Sequence, residues 1–271
     1  MKTKRLRLCL VLVLAVGCAH PAAAPPPVVQ APSPPAAPVA PLASAPVAPA
    51  PAAPPPPVAS APGPASASAP LEVPPSTRIR IGCGFLLVEN HGPTAFSLVL
   101  PATKPMQSKT DPSAVLLDGV LVQSAATSAA AMGAAKLSGY DLLRHQMLWQ
   151  ADFVAHGQGW PNLQPTGDPI DLGLGGGLRT WFWGLDAPEL FEVEGVKVNR
   201  VAHLSVAVDD VVLTLASPLR PQDDYRPAAR VMSRAMRSLR RSPTPIDVFA
   251  LQDAALAGKL DAEFCARVER S

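Results

Sequence analysis

Five arginines recur at steps of four, four, three and four: Arg226, Arg230, Arg234, Arg237 and Arg241. On a helix of about 3.6 residues per turn, those steps put all five on one face. A guanidinium offers paired N–H donors, so a row of them suits phosphate or carboxylate oxyanions. A solvated helix face is the competing reading. Such faces normally mix in acids, however, and none stands between Asp224 and Asp247. Glu189, Glu192 and Glu194 could neutralise the row from elsewhere in the fold, or supply carboxylates to a hydrolase; as an acidic loop they also read as solvent rim.

Three further sets invite chemistry. Trp181 and Trp183 share one face of an expected strand, with Phe182 on the other. Two neighbouring indoles could contact a sugar ring or an apolar ligand, and a covering helix explains them equally well. His145, Asp152 and His156 suggest a metal, but the two histidines lie eleven residues apart. That is about 16 Å along a helix, against ligand distances of about 2 Å in a zinc site. Asp152 and His156, one turn apart, read as a surface pair. Gly173, Gly175, Gly176 and Gly177 match the spacing of neither common nucleotide loop. They mark a bulge, or a place where another backbone or a ligand comes close. No metal, cofactor or catalytic set is read from the chain, and none of the five histidines sits in a recognisable motif.

The elements that would position these groups begin with a hairpin over 78–100. There Ile79 and Ile81 alternate, Phe85 to Val88 run apolar, and Asn90-His91-Gly92-Pro93 turns into Ala95 to Leu100. Asp118-Gly119, between Val115–Leu117 and Val120–Gln123, marks a tight hairpin. The alanine-rich stretch Ala125 to Ala135 reads as helix. Ser138 can cap a longer helix from Gly139 to Ala155, with Tyr140, Leu143, Met147, Ala151 and Val154 as its apolar stripe. Gly157 to Gly167 reads as a loop, followed by strands near Arg179–Gly184, Glu192–Val196 and Val198–Val208. Asp209-Asp210 turns the chain into Val211–Ala216. Asp223 and Asp224 start a helix that Arg240, Arg241 and Pro243 close, with Ala228, Val231, Met232, Ala235, Met236 and Leu239 on its apolar side. A short helical pair then covers 247–258 and 261–270, with Val248, Leu251 and Leu256 packing inward.

The expected fold is α+β: a mostly antiparallel sheet covered by helices over 78–245, sandwich-like in α/β/α layers, with a C-terminal helical clasp over 246–271. The order from Leu137 to Leu239 resembles the PsbP-like α/β/α sandwich, especially Val211-Val212-Leu213-Thr214-Leu215 and a helix ending Met236-Arg237-Ser238-Leu239. The resemblance rests on hydrophobic pattern. It implies a non-enzymatic accessory or binding module, a class with no catalytic residues to carry over.

At the N-terminus, Lys2, Lys4, Arg5 and Arg7 precede an apolar run from Leu8 to Gly17. At about ten residues the run is too short to span a bilayer, so 1–17 reads as a signal peptide. Leu14-Ala15-Val16-Gly17-Cys18 resembles the lipobox of bacterial lipoproteins, with Ala15 where that family prefers leucine. The resemblance implies that Cys18 is fatty-acylated and becomes the first mature residue, anchoring the chain to a membrane. Ala19 lacks the aspartate that retains many lipoproteins at the inner membrane, which favours the outer membrane, facing the periplasm. An ordinary secretory cut after Ala22-Ala23-Ala24 would give a soluble secreted protein, but Pro25 would follow that cut directly.

Residues 19–77 hold 21 of the 34 prolines, and Glu72 is their only charged group. Proline removes backbone donors and fixes φ, so 18–77 reads as a disordered, extended linker behind the lipidated cysteine. At about 3.1 Å per residue its limit is roughly 180 Å. Of four cysteines, Cys9 leaves with the signal and Cys18 takes lipid. Cys83 and Cys265 remain for an exported disulfide across 182 residues, or as two small buried side chains. Without its signal the chain carries 19 basic and 21 acidic residues, and this charge gives no reason to expect nucleic acid as a partner.

Two function classes follow. One is a membrane-anchored envelope binding or assembly module whose partner is an anionic envelope polymer or another envelope protein. The other is a cell-wall-directed hydrolase without a recognisable catalytic motif.

Overall fold

A computed structural model describes residues 76–108, 111–160 and 163–269. The signal sequence, Cys18 and the proline-rich linker lie outside the described residues. Over the described residues the fold is α+β with more strand than helix, built on two antiparallel sheets rather than one.

The first sheet runs in the order β1 (Ser76–Ile81), β2 (Gly84–His91), β3 (Thr94–Pro101), β11 (Arg240–Ser242). The second runs β4 (Met106–Gln107), β5 (Ala114–Leu117), β6 (Val120–Ser128), β10 (Val211–Leu219), β9 (Val196–Val208), β8 (Arg179–Val193), β7 (Pro165–Ile170). Among the described residues four helices cover them: α1 (Gly139–Gln158), α2 (Tyr225–Arg237), α3 (Val248–Leu256) and α4 (Asp261–Glu269).

The unbroken apolar runs belong to strands covered on both faces. In β2 and β3, Leu87, Phe96, Leu98 and Leu100 face the seven-stranded sheet, where they meet Leu204, Val206, Leu213 and Leu215. Ala228, Met232, Ala235 and Met236 bring the apolar side of α2 into the same core. Leu86, Val88 and Val99 point the other way, under Val248 of α3 and Phe264 and Val268 of α4. On the far face of the large sheet, α1 seats Leu142 and Leu143 against Ala207 and Val212, and Met147 and Ala151 against Trp183 and Leu185. Cys83, in the turn between β1 and β2, forms a disulfide with Cys265 of α4, with Cα atoms 5.7 Å apart. Beside it, the Gly82 N–H donates to Asp261 Oδ1 at 2.8 Å.

The Asp118-Gly119 hairpin forms with positive φ at both positions, 49° and 89°, as a two-residue turn of primed type requires. Other expectations are corrected. The alanine-rich segment is not a helix: Ala125 and Ala126 pair with Thr214 and Leu213 in β6, and the chain turns at Gly133, φ 69°. Strand pairing there overrides the helical preference of alanine. The loop expected over 157–167 ends early, because β7 starts at Pro165. Its two prolines are tolerated because it is an edge strand. Arg78 to Glu89 is two strands, folded at Gly82-Cys83. Ser138 occupies the N-cap of α1 without a side-chain cap bond. Leu256 is 89 % exposed and does not pack inward.

Candidate anion-binding face

Helix α2 begins where Asp224 accepts the Arg226 backbone N–H at 3.0 Å, which satisfies one of the free donors of a first turn. Its apolar side is fixed in the core between the sheets, so the opposite side must face water. Arg226, Arg230, Arg234 and Arg237 are all exposed on it. Arg226 lies 3.6 Å from Asp224. Among the described residues, no acid forms an ion pair with Arg230, Arg234 or Arg237.

Arg241 departs from the helical row. The helix stops at Arg237, and Ser238 is wholly buried, its Oγ accepting from the Val99 N–H at 2.8 Å and donating to the Ala235 carbonyl at 2.6 Å. This draws the chain onto β3, where Arg240 pairs with Ser97 and Arg241 with Phe96. Arg241 then binds both carboxylate oxygens of Asp209, in the β9–β10 turn, at 2.5 Å. The row of five is therefore four on α2, with Arg241 on a strand and held by an acid. Arg240, outside the sequence-derived row, is also exposed, and its Nη1 donates to the Arg237 and Leu239 carbonyls.

The segment 189–194 does not neutralise α2. Glu194 bonds to Ser108 instead. Asp186, beside the first residue of the helix, accepts from Arg200 Nε and from the Tyr225 hydroxyl, both at 3.1 Å. Arg200 also lies 4.0 Å over the Tyr225 ring. Burial, with Asp186 next, raises the Tyr225 pKa.

The tryptophans are covered by α1. Trp183 is 1 % exposed, its Nε1 donates to Ser205 Oγ at 3.0 Å, and its ring stacks on His203 at 3.7 Å, which leaves no face for a ligand. Trp181 is half-buried and meets Tyr140 edge-on at 6.1 Å. Phe182 faces the other way, against Tyr225 of α2.

Beneath α1 lies a polar layer that sequence reading missed. Gln146 donates to Gln150 at 2.6 Å, Ser205 Oγ donates to Gln146 at 3.3 Å and lies 2.9 Å from Thr214 Oγ1, and Gln150 Nε2 is 3.5 Å from His203 Nε2. Complete burial pushes His203 down to about 3, so it is a neutral base at physiological pH. The space beside Gln146, Gln150 and Thr214 is only about 10 Å³, too small for a substrate. The only signal in the sequence was polar residues at positions of period two and four inside otherwise apolar elements.

The histidines of α1 stand apart. His145 Nε2 is 2.9 Å from the Met132 carbonyl oxygen, while His156 pairs with Asp152 at 3.2 Å on the exposed surface. Among the described residues, no three potential metal ligands gather. The glycine-rich segment forms the β7–β8 connection; Gly173 donates its N–H to Asp171 Oδ1 at 2.8 Å, and Gly173, Gly176 and Gly177 have φ near 70°. This connection lies beside the end of α2. No family model, curated protein or solved structure matches the chain, so the chemistry of this face rests on its own residues.

Proposed function

We propose that this protein is an exported lipoprotein, acylated at Cys18, whose folded part is a non-enzymatic module that docks through α2 on anionic envelope material. Residues 19–77 act as a spacer, and the lipid holds the chain at the outer membrane, facing the periplasm. The observation that carries the reading is the exposed arginine row without acids at Arg230, Arg234 and Arg237. Like charges one turn apart cost a few tenths of a kcal/mol per pair. The helix dipole offsets that cost for Arg234 and Arg237, which lie in the last turn, but not for Arg230 in the middle. An anionic surface accounts for all of them. The placement of α1 and α2 on opposite faces of the large sheet supports the PsbP-like α/β/α reading, and with it an accessory role; the small sheet and the α3–α4 pair fall outside that pattern.

The test uses the mature chain with Cys18→Ser, co-sedimented with phosphatidylglycerol vesicles or isolated cell wall over a salt series. Binding is expected at low salt and is lost as the Debye length falls from about 10 Å at 0.1 M toward about 3 Å at 1 M. Replacing Arg230 and Arg234 by glutamine should weaken it about thirtyfold, at about 1 kcal/mol per arginine. No binding at low salt, or equal binding by the variant, overturns the docking reading. The anchor is tested separately: fatty-acid labelling should mark the wild type and not Cys18→Ser.

A further inference from the structure

Beside the docking face lies a cleft of about 630 Å³, walled on one side by the β7–β8 connection and on the other by the end of α2 and the start of β11. Leu172, Leu174, Leu178 and Leu239 supply its apolar lining, while Arg237, Arg240 and Arg241 supply its cations. The charges do not cancel. Asp209 holds Arg241, but Arg237 and Arg240 have no carboxylate partner among the described residues. Arg240 spends one nitrogen, Nη1, on backbone carbonyls, which anchors the side chain and leaves Nε and Nη2 as a fork for an oxyanion.

The glycines of the β7–β8 connection leave its backbone accessible from the cleft. Gly173, Gly176 and Gly177 need glycine for their positive φ. Gly175 has no such φ, and a Cβ built on it would meet nothing within 4 Å. The loop backbone is therefore open toward the cleft at Gly175, where a seated molecule could approach it closely.

We propose that this cleft is a binding site for a single anionic amphiphile: an oxyanion head, phosphate or carboxylate, held by Arg237 and Arg240, with an apolar chain laid along the leucines. The leucines make an apolar surface that a hydrophilic polyanion would leave wet, and the arginines sit where a neutral lipid would leave them unpaired. The site is distinct from surface docking, because Arg230 and Arg234 do not line it, and the two share only Arg237.

The experiment is calorimetric titration of the mature Cys18→Ser chain with three probes: dihexanoylphosphatidic acid below its micelle concentration, dihexanoylphosphatidylcholine, and inorganic phosphate. Saturable binding of the phosphatidic acid at one site is expected, with the other two at least tenfold weaker. Arg240→Gln should weaken it about tenfold, the worth of one charge-assisted pair of hydrogen bonds. Arg240→Lys, which keeps the charge and loses the fork, should fall between. Arg230→Gln with Arg234→Gln should leave it unchanged while weakening vesicle docking. Equal affinity for inorganic phosphate would reduce the site to an anion contact, and equal affinity for phosphatidylcholine to an apolar groove; either overturns the proposal. So does a double variant that loses the phosphatidic acid as much as Arg240→Gln does, since diffuse charge would then suffice. If vesicle docking fails but the titration succeeds, the cleft stands without the surface reading.

Discussion

His203 is the residue on which acid should act. It is wholly buried, Gln150 is its side-chain neighbour in a layer with Gln146, Ser205 and Thr214, and among the described residues no carboxylate is bonded to it to stabilise an imidazolium. Its pKa falls from 6.5 unfolded to about 3 folded, so between those values the unfolded chain binds a proton that the native state refuses. Stability is therefore fully present above pH 6.5 and is lost as pH falls below it. At about 1.36 kcal/mol per unit, denaturation at pH 4.5 should give His203's contribution as about 2–3 kcal/mol less than at pH 6.5. His203→Gln should remove that part of the slope, as measured by urea unfolding at both pH values. The ring beside it belongs to the same layer: Trp183→Ala should destabilise by about 3–5 kcal/mol, because it opens a void under α1 and removes the N–H that Ser205 accepts. By contrast Asp209→Asn, which breaks an ion pair about half exposed on both sides, should cost under about 1 kcal/mol. That ranking is itself checkable in one set of melts.

At the scale of the element, the end of α2 turns on Ser238. Its hydroxyl takes the N–H of Val99 in a site closed to water, so Ser238→Ala leaves that donor unsatisfied and should cost about 1–3 kcal/mol in chemical denaturation. The same residue explains why the sequence misled. Arginines at steps of three and four continue the helical period through Arg241, and nothing local says that a serine will be pulled out of register by a strand 139 residues earlier. The exposed face from Arg226 to Arg237 was legible because it depends on period alone. Hairpins with strong turn residues, at Asp118-Gly119 and Asp209-Asp210, were legible for a similar reason: the turn specifies itself. What failed depended on distant partners. Ala125 and Ala126 are strand because β10 pairs with them, and Pro165 to Ile170 is strand because β8 offers it an edge. The cleft was legible only in pieces, its glycines and Arg237 and Arg241 each flagged alone, since Gly175 and Arg240 are 65 positions apart and meet only through tertiary packing.

For the whole molecule, the Cys83–Cys265 disulfide closes a loop of 182 residues that holds the seven-stranded sheet and all of the smaller sheet but β1. In the chain-entropy view, opening so large a loop should cost up to about 5 kcal/mol, so Cys83→Ser with Cys265→Ser should melt well below the oxidised wild type. Reductant should lower the wild-type melting temperature and leave the double variant unmoved. The bridge also sets how the domain answers a pull. A force entering along β1 reaches Cys83 first, and from there to Arg237 the backbone offers two routes: 154 residues forward (237 − 83), or across the sulfurs and 28 residues back (265 − 237). The shorter route goes taut first. Even fully unravelled, it stretches no further than about 95 Å, at about 3.4 Å per residue, whereas the long route would run past 500 Å. Stretched between its N-terminal strand and its arginine helix, the domain behaves as a short strap of α4, α3 and β11, and the seven-stranded sheet stays slack inside it.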